Sequence, residues 1–170
     1  MLFEDEFSLS NTATVHYRWA KKGKQPIVIC KQRNRERKTA MGSYNYGTGQ
    51  ITVTFHDKGN YKTFKKHLKK ILYQYRGHSK IILVVDNVRF HHAKLLKEWL
   101  KTKPQLEIMY LPPYSPELNP IERAWWYMRK KITHCRYVKS LNERIVAFWK
   151  MFSHFNKPNE ELKTVCVINY

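Results

Sequence analysis

The sequence predicts an α/β protein, a mixed sheet with helices on its faces, and three patterns carry that expectation. Within the first sixty residues the apolar positions follow the two-residue period of strands. It is clearest at 51–56, where Ile51, Val53 and Phe55 alternate with Thr52, Thr54 and His56. From Tyr61 onward the period lengthens to that of a helix. The run IILVV at 81–85 is then unbrokenly apolar, as in strands covered on both faces. Antiparallel strands followed by a β-α-β-α order point to a mixed sheet.

Each element has its own justification. Residues 2–9, 14–19 and 26–30 read as short strands, and 39–46 and 51–56 as strands flanking a Gly47-Thr48-Gly49 turn. After the DKGN turn at 57–60, Tyr61, Phe64, Leu68, Ile71, Leu72 and Tyr75 share one arc of a helix. Lys62, Lys65, Lys66, Lys69, Lys70 and Arg76 take the other arc, and Gly77 ends the helix. A helix with Leu95, Leu96, Trp99 and Leu100 inward follows the 81–85 strand and stops near Pro104. Residues 106–111 form the next strand, 112–120 a proline-rich loop, and the C-terminus is helical. Asn119, Pro120 and Glu122 fit N-cap, N1 and N3 of a capping box. With no repeat or linker, residues 1–170 are expected to form one domain, with about 136–170 as a helical extension.

Thirty-two Lys and Arg against thirteen Asp and Glu give a net charge of +19, which suits a polyanionic partner. The 42% hydrophobic content is too rich in core formers for a disordered basic tail. Disorder, an acidic-ligand carrier and a small disulfide scaffold are thereby excluded. The N-terminal MLFEDEF has three acids and no apolar core, so it is no secretory signal. Cys30, Cys135 and Cys166 are odd in number and lack CxxC spacing, which favours structural thiols and a reducing cytoplasm, nucleoid-associated for a DNA partner.

Acids are scarce, which makes each informative. Aspartate occurs at 5, 57 and 86. Asp57 belongs to its turn. Asp86 follows the most buried strand, at the sheet edge where α/β proteins bind ligands, although a turn or cap would also explain it. Asp5 sits in a Glu4-Asp5-Glu6 group that reads equally as an exposed terminal charge cluster. If the first strand lies beside the 81–85 strand, Asp5 and Asp86 approach one another and favour a hard divalent cation between them. Glu122 serves the capping box, and its carboxylate could also project toward the sheet edge.

Two further segments are distinctive: DNVRFHH at 86–92 and LPPYSPELNPIE at 111–122. Together they closely resemble the catalytic motifs of DDE transposases, in the mariner-like bacterial insertion-sequence branch. LFEDE at 2–6 resembles that family's first catalytic strand, and YRWAKKG at 17–23 with Pro26 its next stretch, so the likeness runs from about residue 2 to 150. The resemblance implies an RNase H-like fold with a mixed five-stranded sheet and a metal site of Asp5, Asp86 and Glu122. It implies two Mg²⁺ or Mn²⁺ ions about 3.5–4 Å apart, clamping the attacking and leaving oxygens of a phosphodiester. The activity implied is DNA strand cleavage and strand transfer. The gap of 35 residues between Asp86 and Glu122 is close to the family's usual spacing, with any extra residue expected in the 101–105 loop.

Asn87 and His91 are expected to support the site, whereas a capping or packing role explains His92 equally well. At least one of Trp125 and Trp126 is expected in the core. Expected DNA contacts are Arg18, the 31–38 run with Lys31, Arg33, Arg35 and Arg37, the helix face with Lys62 and Lys66, and Arg129 with Lys130. Pro113 and Tyr114 are placed at the DNA channel. The family's helix-turn-helix region is expected to be absent, so that a separate polypeptide or a frameshifted reading frame supplies it, or the chain is a fragment. Double-stranded DNA ends and target are the expected partners, with a homodimer assembled on them. The rival readings are a catalytically silent DNA-binding remnant and a nuclease for RNA–DNA hybrids.

Overall fold

A computed structural model describes residues 1–14, 16–17, 19–25, 27, 35–134 and 136–168. Its strands are β1 (Leu2–Ser10), β2 (Arg37–Asn45), β3 (Ile51–His56), β4 (Ile81–Val85) and β5 (Leu106–Tyr110). They form one sheet in the order β3-β2-β1-β4-β5. β1 is its centre, antiparallel to β2 and parallel to β4, so the mixed five-stranded sheet is as the sequence led us to expect. Helices α1 (Tyr61–Gln74) and α2 (Lys94–Lys101) connect the strands; α3 (Ile121–Ile132), α4 (Leu141–Phe155) and α5 (Glu160–Val165) follow them.

The alternation of β1 divides the core in two. Phe7 and Leu9 face a cluster with Trp125 and Met128 of α3, Phe148 and Phe152 of α4 and Leu162 of α5. Leu2 faces the other cluster, with Phe64, Leu68 and Ile71 of α1 and Leu96 of α2. Every one of these side chains is at most 3% exposed, so the central strand packs against a core on each face. Helix α1 starts as its sequence dictates: the Asn60 side chain accepts from the Lys62 and Thr63 amides, and Thr63 Oγ1 accepts from the Asn60 amide.

Two expectations are corrected, and a third falls almost wholly outside the described residues. Among the described residues of 14–19 there is no strand: Thr14 makes an isolated bridge to His134, and Tyr17 and Trp19 are fully exposed. Strand-like composition is not sufficient where both edges of β1 are already taken by β2 and β4. In the 26–30 stretch Ile27 is exposed, and the other four residues lie outside the described residues. Leu95 is exposed rather than inward, because the eight-residue α2 seals its contact with Leu96 and leaves Trp99 and Leu100 at the margin.

A polar network lies within the α1 interface. The His67 ring is fully buried, with Nε2 2.8 Å from Ser43 Oγ and Nδ1 2.9 Å from Thr54 Oγ1. His56 Nε2 approaches the same Thr54 hydroxyl at 2.9 Å. Burial, reinforced by the charges of Lys70 and His56, pushes the His67 pKa down to about 3. The unfolded chain therefore takes up a proton below about pH 6.5 that the folded chain refuses, and stability falls as pH falls through that range. Between pH 6.5 and 5 the loss from this residue should reach about 2 kcal/mol. In denaturant titrations at those two pH values, His67→Gln should flatten the dependence by that amount; an equally steep fall in the variant would rule His67 out as its source.

Candidate active site

Three acids meet beside the middle of β1, at the carboxyl end of β4. Asp5 stands opposite Gly42 of β2. The parallel register of β1 and β4 pairs Leu2 with Leu83 and Phe3 with Val84; two further steps align Asp5 with Asp86, the residue after β4. Glu122 is the second residue of α3, which packs on the Asp5 side of the sheet. All three line one cleft of about 370 Å³, together with Asn87, Pro113 and Tyr114.

The placement of Glu122 departs from the expected capping box. Pro120, in helical conformation, is the residue before the first helical turn, and no side chain caps it. Asn119 is instead buried, and its Nδ2 donates to the Glu4 carbonyl at 3.0 Å. That bond fastens the loop before α3 to the strand that carries Asp5. The Glu122 amide donates to the Asn119 carbonyl at 3.1 Å, so both acids are referred to the same anchor.

Gly42 sets how closely α3 approaches. A Cβ there would overlap Cη2 and Cζ2 of Trp125, which lies flat over β2 at the Asp5 register, one helical turn beyond Glu122. Trp125 is 1% exposed and 5.1 Å from the Phe7 ring, whereas Trp126 is half exposed. The expectation that one of the pair is core therefore holds for Trp125.

The electrostatics of the cleft favour a cation. Burial first, then the Glu122 and Glu6 charges, hold the Asp5 carboxyl well above the usual carboxylate range. Burial also raises Glu122; Arg129 opposes the shift and Asp86 adds to it. Burial pushes Asp86 upward too, but hydrogen bonds from His91 and the Val88 amide outweigh it and hold this carboxyl below its ordinary value. An all-carboxylate donor set, one member held ionised and two pushed up by burial and neighbouring acids, fits a hard divalent cation.

The supporting residues divide. Asn87 lines the cleft, and its Nδ2 donates to the Leu111 carbonyl, tying the loop after β4 to the loop after β5. His91 does not line the cleft. It is fully buried behind Asp86, with Nδ1 3.1 Å from both the Asp86 carbonyl and Asp86 Oδ1. His92 packs, stacked on Tyr110 with ring centroids 4.4 Å apart.

The sequence reading also treated Glu4 and Glu6 as part of an exposed charge group. The structure corrects this: Glu4 is fully buried, because β1 is the middle strand of the sheet and not a frayed terminus. Burial, with help from Glu6, Asp5 and Asp86, raises Glu4 well above its usual range. Burial pushes Glu6 to about 7, with His91 opposing and Asp86 adding to the shift. The available signal was alternation, which places Glu4 and Glu6 together on the face opposite Asp5.

Of the expected DNA contacts, Arg18, Lys31 and Arg33 lie outside the described residues. Arg35 and Arg37 are exposed at the start of β2. Lys62 and Lys66 are exposed on α1, in the layer opposite α3. The Arg129 guanidinium lies 4.9 Å over the Phe7 ring, and Lys130 Nζ 5.2 Å over Trp126. Pro113 and Tyr114 do reach the cleft; Tyr114 is fully exposed, with φ of 57°. The third thiol, Cys166, is buried in the core, where desolvation raises its pKa to about 12; Cys30 and Cys135 lie outside the described residues.

The strand order β3-β2-β1-β4-β5, with β1 antiparallel to β2 and parallel to β4, defines an RNase H-like fold. The chain belongs to the DDE superfamily endonucleases, whose family profile matches residues 1–144. It is 28% identical over 158 residues to the "Insertion element IS630 uncharacterized 39 kDa protein" of Shigella sonnei, covering 91% of this chain and 46% of that one. It is also 28% identical over 105 residues to "Uncharacterized protein y4pE/y4sA" of Sinorhizobium fredii, covering 54% and 73%.

Among solved structures, the Mos1 transposase paired-end complex with left transposon end matches with a TM-score of 0.71 at 16% identity. That match covers 95% of this chain and 49% of the Mos1 chain. The Mos1 mariner paired end complex with Mg matches with 0.71 at 14% identity, covering 97% and 52%. These likenesses establish the fold, and the chain spans about half the length of the IS630 relative and of the Mos1 chains. Among the described residues no helix is long and apolar enough to cross a membrane.

Gly42→Ala should displace Trp125 and destabilise the fold by about 1–3 kcal/mol, the usual range for overpacking. A denaturation midpoint unchanged from that of the natural chain would show that α3 is not held by this contact.

Proposed function

We propose that this chain is the catalytic part of a transposase, cutting DNA strands at transposon ends and joining them to target DNA. Residues 1–170 act in this reading as one catalytic unit, with 136–170 bracing the sheet. The observation that carries it is the convergence of Asp5, Asp86 and Glu122, from three separate elements, on one open cleft. Similar structures support this reading: they include a Mos1 Strand Transfer Complex and Mos1 mariner paired end complexes with Mn and with Mg.

In this reading Asp5, Asp86 and Glu122 hold two Mg²⁺ or Mn²⁺ ions, which supply Lewis-acid activation of the phosphodiester and of the attacking oxygen. The protein's own part is geometry. Asp86 is kept ionised by His91 and the Val88 amide, so it is available as a ligand at neutral pH. Asn119 fixes the distance between the Asp5 and Glu122 elements. Pro113 and Tyr114 form the wall against which a DNA strand lies, Tyr114 offering a ring to a base or sugar. Arg129, Lys130 and the basic residues at the start of β2 neutralise phosphates without reading sequence. Two ends must be brought together, so a homodimer on DNA and a separate helix-turn-helix polypeptide for end recognition complete the proposal. Its setting is the cytoplasm, at the nucleoid.

The test is nicking of supercoiled plasmid in Mg²⁺ or Mn²⁺. The natural chain should nick; Asp86→Asn and Glu122→Gln should fall to background while salt-sensitive DNA binding persists. Metal-dependent nicking that survives in both variants would overturn the assignment. No nicking by the natural chain, with binding retained and with a recognition domain supplied, would identify a silent DNA-binding remnant.

A further inference from the structure

On the face of β1 turned away from Asp5, three ligand groups converge with nothing to bind. Glu4 and His91 are fully buried, and the Glu6 side chain is 17% exposed. His91 Nε2 lies 3.6 Å from Glu4 Oε2 and 3.8 Å from Glu6 Oε1. Both carboxylate oxygens of Glu4, Glu6 Oε1 and His91 Nε2 are buried without a hydrogen-bond partner. One donor atom from each residue falls within 4.8 Å of the others, and among the described residues this is the group of three so closed. No lysine or arginine among the described residues pairs with Glu4 or Glu6.

We infer that Glu4, Glu6 and His91 form a second, closed site for a first-row divalent cation, of the Zn²⁺ or Mn²⁺ class, behind the open cleft. The distances discriminate between a proton and a metal. At 3.6 and 3.8 Å the ring nitrogen is too far from either carboxylate for a hydrogen bond, which needs about 2.7–3.2 Å. Ligand bonds of about 2.0–2.2 Å place neighbouring donors about 3.3–3.6 Å apart in a tetrahedral shell, so the two distances to Nε2 need to contract by only a few tenths of an ångström, while the two carboxylates, with all three donors within 4.8 Å of one another, close around the ion.

The tautomer is arranged for it. His91 Nδ1 faces the Asp86 carbonyl and carboxylate at 3.1 Å, which holds the ring proton on Nδ1 and leaves the Nε2 lone pair toward Glu4 and Glu6. One imidazole with two carboxylates selects a borderline transition ion over Mg²⁺. A divalent charge there also answers two buried carboxylates that otherwise stand uncompensated. The site does not depend on the proposed DNA chemistry, since its ligands face the opposite side of the sheet. Its link to the cleft is His91, which acts on Asp86 as a positioning residue.

The experiment uses the full chain carrying Asp5→Asn and Glu122→Gln, which removes two ligands of the open cleft and leaves Glu4, Glu6 and His91 intact. Dialysed against Co²⁺ alone, a spectroscopic substitute for Zn²⁺, this variant should retain one ion per chain with visible absorption bands. Added Zn²⁺ should raise its unfolding temperature. His91→Gln or Glu6→Gln in the same background should weaken Co²⁺ binding by at least about tenfold. Absence of any retained Co²⁺ in the two-substitution chain, with no Zn²⁺-dependent rise in unfolding temperature, overturns the proposal and needs no substitution within the cluster. Co²⁺ retention unaffected by His91→Gln in a chain that still unfolds cooperatively overturns it as well. Plasmid nicking by the natural chain is a separate readout, so failure there leaves this result standing.

Discussion

Strand β1 carries Glu4, Asp5 and Glu6 into the middle of a sheet that is covered on both faces, and most of the surrounding structure can be understood from the cost of holding three consecutive acids there. Alternation splits them: Asp5 goes to the α3 face, Glu4 and Glu6 to the α1 face. Asp86, arriving beside Asp5 from β4, adds a fourth carboxylate. A sheet with this much negative charge at its centre would be poorly stable unless each carboxylate had a stabilising partner. Asp86 has His91 and the Val88 amide; the other three are raised toward their neutral forms. Most lysines and arginines among the described residues are exposed and away from these acids, with Arg129 the basic residue that acts on Glu122.

The same strand organises the loops. Each segment bearing an acid is tied to another by a side-chain amide: Asn87 holds the loop after β4 to Leu111, and Asn119 holds the entry to α3 to Glu4. Close packing finishes the placement, since the bare α-carbon of Gly42 lets Trp125 lie against β2 at the register of Asp5. The Asn119 anchor is buried and the Asn87 anchor lies at the surface, while the cleft between them is open. Fixed acids beside an open cleft suit a substrate that enters from the side, as a long polymer must, and fixed acids have little reorganisation left to do at the moment of reaction.

Much of this was legible in the sequence because it rests on periodicity. The alternation at 51–56, the helical arc from Tyr61 and the apolar run at 81–85 each state their environment directly. Asp86 and Glu122 were visible as acids in a chain with few of them, embedded in distinctive motifs. What escaped depends on pairing across the chain. Glu4 reads as an exposed terminal charge until β1 is known to be the central strand, and Asn119 reads as a helix cap until its bond across 115 residues to Glu4 is seen. Leu95 fits an inward face of a helix so short that it has little inward face to offer. Gly42 carries no local signal, because only the approach of Trp125 gives it meaning.

His91 joins the two halves of this arrangement. One ring nitrogen is committed to Asp86, and through it to the cleft; the other faces Glu4 and Glu6. Whatever occupies the Nε2 side, proton or metal, sets the charge on the ring and therefore the strength with which Nδ1 holds the Asp86 carboxylate. A neutral ring with its proton on Nδ1 leaves Asp86 a ligand of undiminished charge. An occupant on the Nε2 side therefore bears on the acid in front through the ring the two sides share. That is a physical reason for an imidazole to stand between two acidic sites, since its two ring nitrogens face opposite ways and a lysine has one.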